Sequence, residues 1–274
     1  SFVSQTASGQ AFVQDSLGCR IPLISGRAFY ILEGDDSWGI SGLPVSQKND
    51  CYFCIHGLGY TIIHTLKNGI QTELCFFVPA GQNCELCLFT VKNISNRKRN
   101  LKFLACNTTE VDGVYTPQGY NLSAADIDQR INGIFTFAHR EFNKEKMPPF
   151  YAFMSMSQEP DGYDAAYNSF IGPYGSLSHP IALEGRGCFN TPCIGEKLIF
   201  ALEKNISLEA GDKRNLVVIT GVSFQWDQLL KMKNEFADPL RAENAMEEAK
   251  GHFREQIRGV QIRTPDKKLN EMFP

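Results

Sequence analysis

Three carboxylates, Glu159, Asp161 and Asp164, sit close together in a stretch crowded with aromatic rings: Tyr163, Tyr167, Phe170, Tyr174 and Phe189. Paired carboxylates can serve as acid and base across a glycosidic bond, and aromatic faces stack on sugar rings. Loop spacing alone fixes no geometry, so a solvated acidic turn is the simpler expectation for the carboxylates. The rings, in the same way, either plug the open end of a β-sandwich or hold a sugar. Long irregular segments are functional or disordered, and this aromatic content speaks against disorder.

Other reactive residues are scattered. Cys51/Cys54 and Cys84/Cys87 have the C-x-x-C spacing of a zinc site. Residues three apart on a strand point to opposite faces, however, so these thiols are expected in the core rather than on a metal. His56, His64, His139, His179 and His252 show no ligand spacing, and Arg97-Lys98-Arg99 reads as a solvated turn. The chain lacks G-x-G-x-x-G and Walker loops, H-E-x-x-H and G-x-S-x-G. Residue chemistry alone shows no catalytic apparatus.

The elements that must position these residues are mostly strands. Thr61–Leu66 and Ile70–Val78 are rich in β-branched and aromatic residues, and Lys67-Asn68-Gly69 between them supplies a tight hairpin. Cys84–Val91 and Leu101–Ala105 continue a meander that buries a face only against a second layer. Shorter strands are expected at Ala11–Val13, Ala28–Leu32, Ile131–His139 and Phe150–Ser155, and a last hairpin over Lys197–Leu208 and Arg214–Phe224. Thr108–Arg130, Arg140–Pro149 and residues 157–195 read as loops. The period then changes. Trp226–Phe236 reads as a short helix, and Asp238-Pro239 caps a longer one with Ala242, Met246, Ala249, Phe253 and Ile257 in one stripe and Gly259 as its stop. After an extended Val260–Arg263, Thr264-Pro265-Asp266 opens another helix whose apolar stripe has nothing to pack on. The chain is therefore expected to be the front part of a longer protein with a helical neighbour.

With 274 residues, 43% of them hydrophobic, and a net charge of −3, the chain can form a large β domain and offers no basic surface for nucleic acid or anionic lipid. No apolar run reaches the roughly 18 residues of a membrane span, and SFVSQTASGQ does not resemble a signal peptide. Nine cysteines, an odd count placed largely in apolar runs, point to a reducing compartment and a cytoplasmic location. The sequons at Asn93, Asn107, Asn121 and Asn205 are accordingly read as composition.

Four stretches together, GLGYTII…NGIQTEL…FVP, VKNISNRKRNL, EPDGYD…FIGPYGSLSHPIALEGRGC and VQIRTPD, resemble glycoside hydrolase family 94, formerly glycosyltransferase family 36. It comprises cellobiose, chitobiose and related β-glucan phosphorylases and part of cyclic β-1,2-glucan synthases. The resemblance implies a mainly β fold: an antiparallel β-supersandwich of the galactose-mutarotase type over residues 1–224, a helical linker over 225–259, and the start of an (α/α)6 barrel at 260–274. It also implies a parent reaction, inverting phosphorolysis of a β-glucoside to a sugar 1-phosphate. Inorganic phosphate is the co-substrate there, no cofactor is used, and the acid aspartate lies in the barrel. The front domain alone would be inert. Family members are commonly dimers in which one sandwich borders the other subunit's active site. Asp161, Tyr163, Asp164, Tyr167, Phe170 and Tyr174 are the candidate sugar contacts for that role. Ala166-Tyr167-Asn168-Ser169-Phe170 stands where many members have an Asp-Arg-Glu-x-Phe-like segment, and Gly9-Gln10-Ala11-Phe12 where they have Gly-Tyr-x-Trp, which leaves the substrate open. A stand-alone carbohydrate-binding module and a mutarotase-like epimerase are the alternatives.

Overall fold

The structure is a computed structural model that describes residues 2–5, 10–14, 20–24, 26–42, 49–109, 124–138, 149–184, 186–257, 264–266, 268 and 270. Strands β1 (Phe2–Gln5), β2 (Gln10–Gln14) and β3 (Arg20–Ile24) form a small antiparallel sheet. Two larger sheets make the body. One has five strands, drawn from β4 (Gly26–Glu33), β5 (Asp36–Gly39), β10 (Arg99–Thr108), β14 (Gly162–Ala166) and β16 (Leu198–Leu208), in the order β14-β16-β10-β4-β5.

The other has nine. It contains the meander β6 (Cys51–Gly57), β7 (Tyr60–Lys67), β8 (Ile70–Phe77) and β9 (Cys84–Asn93), then β11 (Ala124–Asp128), β12 (Gly133–Ala138), β13 (Phe150–Met156), β15 (Cys193–Ile194) and β17 (Lys213–Ser223). Its order is β15-β11-β12-β13-β17-β9-β8-β7-β6. The Asn68-Gly69 turn has φ of 52° and 78°, the paired positive values that a two-residue hairpin needs.

The two large sheets face each other across an apolar interior. Phe89 and Phe103 stack at 3.9 Å between them, and Phe29 meets Phe76 edge-on at 5.5 Å. Helices α2 (Trp226–Phe236) and α3 (Pro239–Ile257) cover the outer face of the nine-stranded sheet through Leu229, Met232, Phe236, Ala242, Ala245 and Ala249. The Asp238 carboxylate accepts the Leu240 N–H at 3.0 Å, so the Asp-Pro start acts as expected. Helix α1 (Tyr167–Ile171) and a 3-10 turn (Ile181–Leu183) cover the outer face of the five-stranded sheet.

Three expectations need correction. Arg99 of the basic run is not solvated: it is buried, pairs with Glu33 on β4 and donates to the Asn68 carbonyl, because it is the first residue of β10 and not part of the turn. Residues 157–195 are not one irregular loop: they contain β14, α1, the 3-10 turn and β15. Their apolar residues, such as Ala165, Ala166, Phe170 and Ile171, are spaced too closely for a clear period, and packing on the sheet gives them structure. β11 likewise lies inside the span read as loop, because Ala124-Ala125-Asp126-Ile127-Asp128 has weak strand propensity and is held by pairing with β12. Most of the expected loop over 140–149, Gly259 and the extended piece 260–263 lie outside the described residues. In the last part, Asp266 donates its N–H to the Thr264 hydroxyl at 3.2 Å, Lys268 donates to the Asp266 side chain and Asn270 to the Asp266 carbonyl, so Thr264 and Asp266 both accept backbone N–H groups where the expected cap lies.

Candidate functional site

The strand registers sort the connections by end. Thr108 pairs with Ile199, Ala166 with Leu198, Ala138 with Phe150 and Tyr151 with Ser223, so these strand ends share one end of the sandwich. The described strands β10, β12 and β14 end there, and the connection from Gly172 leaves from that end. Asn68-Gly69, the 129–132 turn and Glu209–Asp212 close the opposite end tightly. Loops carried by a rigid scaffold are the usual place for a site.

The six sequence-predicted contacts do not converge. Asp161 is toward the tight-turn side, where its carboxylate accepts the Asn205 N–H at 2.7 Å and pairs with Lys204 at 3.1 Å. Tyr163 donates its hydroxyl to Asp126 at 2.9 Å, and burial plus that bond push its pKa to about 12. Asp164 and Phe170 are fully enclosed and present no surface to a sugar. Tyr167 is half-buried with the Lys197 ammonium 4.1 Å from its ring centre. Tyr174 alone is completely exposed, at the loop-bearing end.

Asp164 does something else. With Glu203 it clasps the segment 186–191 onto the five-stranded sheet. Phe189 and Thr191 donate their N–H groups to Asp164 at 3.0 and 3.1 Å, and Cys188 donates to Glu203 at 2.8 Å. Lys102 bridges Glu203 at 3.1 Å and the Arg186 carbonyl at 3.0 Å. Burial raises the Asp164 pKa to about 6 against the pull of those N–H donors. Gly187 has φ of 80°, and a Cβ there would fall 2.0 Å from the Glu203 carboxylate, so the clasp closes only over glycine.

A second polar group went unread in the sequence. Arg27 on β4 and Glu85 on β9 meet inside the sandwich at 2.7 Å, each side chain about nineteen-twentieths buried. Arg27 also lies over Phe76 at 4.4 Å. Beside them Asn107 donates to Thr220 at 2.9 Å across the two sheets. The signal was present in the alternation: Glu85 shares a face with Cys87 and Phe89, and Arg27 with Phe29 and Ile31, so both charges had to point inward.

The strand rule holds for the second pair, since Cys84 packs on the helix side of its sheet and Cys87 in the interior between sheets, whereas the expected core position fails for Cys51, which is exposed, and Cys54, which is half-buried, because β6 is the edge strand of its sheet. Burial pushes the Cys84 and Cys87 thiols up, as inert core thiols require. Among the described residues no three His, Cys, Asp or Glu side chains gather as a metal site. His56 bonds Thr61, His64 bonds Glu73, and His179 and His252 lie far from them in sequence on the loop and on α3. Of the sequons, Asn93 and Asn107 are buried, Asn205 is exposed, and Asn121 lies outside the described residues. No helix among the described residues is long and apolar enough to cross a membrane.

Residues 1–239 match the family described as Glycosyl hydrolase 94, supersandwich domain. The chain belongs to this family. The supersandwich is 25% identical over 90% of its length to solabiose phosphorylase of Paenibacillus borealis, covering 32% of that protein. It is 24% identical over 90% of its length to N,N'-diacetylchitobiose phosphorylase of Vibrio proteolyticus, covering 31%. The family 94 chain thus spans about a third of the length of the curated relatives it matches. Among solved structures, a bacterial glucoamylase complexed with acarbose shares the fold at a TM-score of 0.59, with 10% identity, over 91% of this chain and 34% of that one. The two-sheet architecture with its trailing helices is therefore that of a family 94 supersandwich.

Proposed function

We propose that this chain is the non-catalytic front sandwich of an inverting β-glucoside phosphorylase, with residues 1–224 as the sandwich, 225–259 as a linker and 260–274 leading into a helical (α/α)6 barrel. The observation that carries this is the match of the supersandwich model to residues 1–239, with the chain covering about a third of relatives named as phosphorylases. In the parent reaction one acid protonates the leaving oxygen while inorganic phosphate attacks the anomeric carbon from the opposite face. Phosphate is already an anionic nucleophile, so a second catalytic carboxylate is unnecessary. The enclosed and hydrogen-bonded state of Asp164 fits a chain that supplies support rather than acid chemistry. No cofactor is called for beyond phosphate as co-substrate.

Within this reading the sandwich works beside its helical portion, in a homodimer and in the cytoplasm. The thiols Cys75, Cys84, Cys87, Cys106 and Cys193, packed as small hydrophobes, support a reducing location. The six candidate contacts reduce in practice to Tyr174 and the half-buried Tyr167, the two with ring surface at the loop-bearing end. A stand-alone binding module is the second reading, favoured by the exposure of Tyr174. An epimerase has less support, because His56, His64 and His179 do not meet over one carboxylate. Sequencing the reading frame beyond Pro274 tests the proposal: a helical repeat with an acidic catalytic residue is expected, and a stop or an unrelated domain there contradicts it.

A further inference from the structure

Strand β6 sets Tyr52, Cys54 and His56 on one face, and two of these side chains meet. The Cys54 Sγ lies 3.6 Å from the His56 Nε2, a hydrogen-bonding distance for sulfur, and the His56 Nδ1 lies 3.1 Å from the Thr61 hydroxyl. We propose that Cys54 is a nucleophilic thiol: Thr61 orients His56, His56 takes the thiol proton, and the sulfur attacks small-molecule disulfides to form a mixed disulfide. This chemistry is separate from phosphorolysis and from the sugar contacts discussed above.

The strand register builds the arrangement. His56 pairs with Thr61, and Cys54 with Ile63, across the β6–β7 hairpin. Thr61 is buried, which fixes its hydroxyl in place. With its Nδ1 proton donated to that hydroxyl, the imidazole leaves Nε2 as an acceptor facing the sulfur. A nucleophile within reach of a base that a third group orients is the arrangement that activates a hydroxyl or a thiol. Cys54 is half-buried against the interior, and burial pushes its thiol up. Its reactivity therefore depends on proton transfer to His56 and not on a resting thiolate. A reagent reaches the pair from the side, because β6 is the edge strand of the nine-stranded sheet and His56 is exposed.

In the step itself the thiol proton passes to Nε2 as the Cys54 sulfur bonds to one sulfur of the incoming disulfide. The old S–S bond breaks, and the departing thiolate recovers the proton from His56. Cys54 is oxidised to the mixed disulfide and the reagent is reduced to one thiol, so no further oxidant is required. Cys51 supplies a comparison on the same strand. It stands three residues from Cys54 and so points to the opposite face, it is exposed, and among the described residues no imidazole bonds it. Exposure alone ranks Cys51 as the faster thiol, and a base at Cys54 reverses that order.

Glutathione disulfide added to the native 274-residue chain, with mixed disulfide at each cysteine followed by peptide mass spectrometry across a pH series, tests the assignment. At about pH 7, Cys54 should react about tenfold or more faster than Cys51. His56→Ala should slow Cys54 about tenfold or more at that pH, move the rise of its rate to higher pH, and leave Cys51 as it was. Comparing the two cysteines in the unaltered chain needs no variant, and unchanged thermal melting will show that His56→Ala is folded. Cys51 reacting as fast as Cys54 or faster overturns the assignment. So does absence of mixed disulfide at Cys54, or a Cys54 rate and pH profile that His56→Ala leaves unchanged.

Discussion

Replacing Glu85 with alanine leaves the Arg27 guanidinium charged and enclosed between the sheets. The pair is bidentate, with Nη1 to Oε1 at 2.7 Å and Nη2 to Oε2 at 3.0 Å, and water reaches little of either side chain. Removing one member of such a pair costs about 3–5 kcal/mol, because the remaining charge keeps its desolvation penalty without its partner. The Phe76 ring 4.4 Å from the guanidinium offsets part of this, which places the expected loss near about 3 kcal/mol. That is a large share of the roughly 5–15 kcal/mol that keeps a domain folded. Arg27→Met/Glu85→Leu removes both charges and keeps the volume, so it should recover the loss and end near or above the parent stability. Urea unfolding followed by circular dichroism measures both, as midpoint shifts at an unchanged slope. The reasoning fails if Glu85→Ala costs less than about 1 kcal/mol, or if the double variant is no more stable than Glu85→Ala.

Asp164 sets a pH dependence of stability. Its folded pKa of about 6 lies above the ordinary 3.8 of an aspartate, so the folded state binds more protons in between. The contribution is full below about pH 4 and is lost as pH rises through 6, about 3 kcal/mol in all; Asp164→Asn should flatten that slope in melting scans. Gly187→Ala should cost about 1–3 kcal/mol and speed hydrogen exchange at the amides of Cys188, Phe189 and Thr191, since both the φ of 80° and the Glu203 contact oppose a Cβ. Phe170→Ala should destabilise by about 3–5 kcal/mol, whereas Tyr174→Ala should leave the melting temperature where it is; equal effects would mean that burial does not separate the scaffold from the site.

Much of the sheet was legible because inward and outward residues alternate in β7 and in parts of β8 and β9, because β16 and β17 carry continuous apolar runs bounded by turn residues, and because Asn-Gly and Asp-Pro carry local meaning that packing does not override. The Tyr167–Ile171 helix and the short strands β11, β14 and β15 were not legible. They owe their shape to the sheet they cover, and their own residues favour no period. The site was less legible still. Sequence could not say that Phe170 turns inward and Tyr174 outward, or that Asp164 accepts backbone N–H groups from a segment 25 residues away.

Release of sugar 1-phosphate from β-linked gluco-oligosaccharides and inorganic phosphate, measured side by side for the 274-residue chain and for the protein translated from its complete reading frame, tests the central claim most directly. The account predicts turnover with the complete protein and none with the sandwich and its helices alone. Turnover by the 274 residues on their own, or none by the complete protein with any of the β-1,2-, β-1,3- and β-1,4-linked substrates, would contradict it.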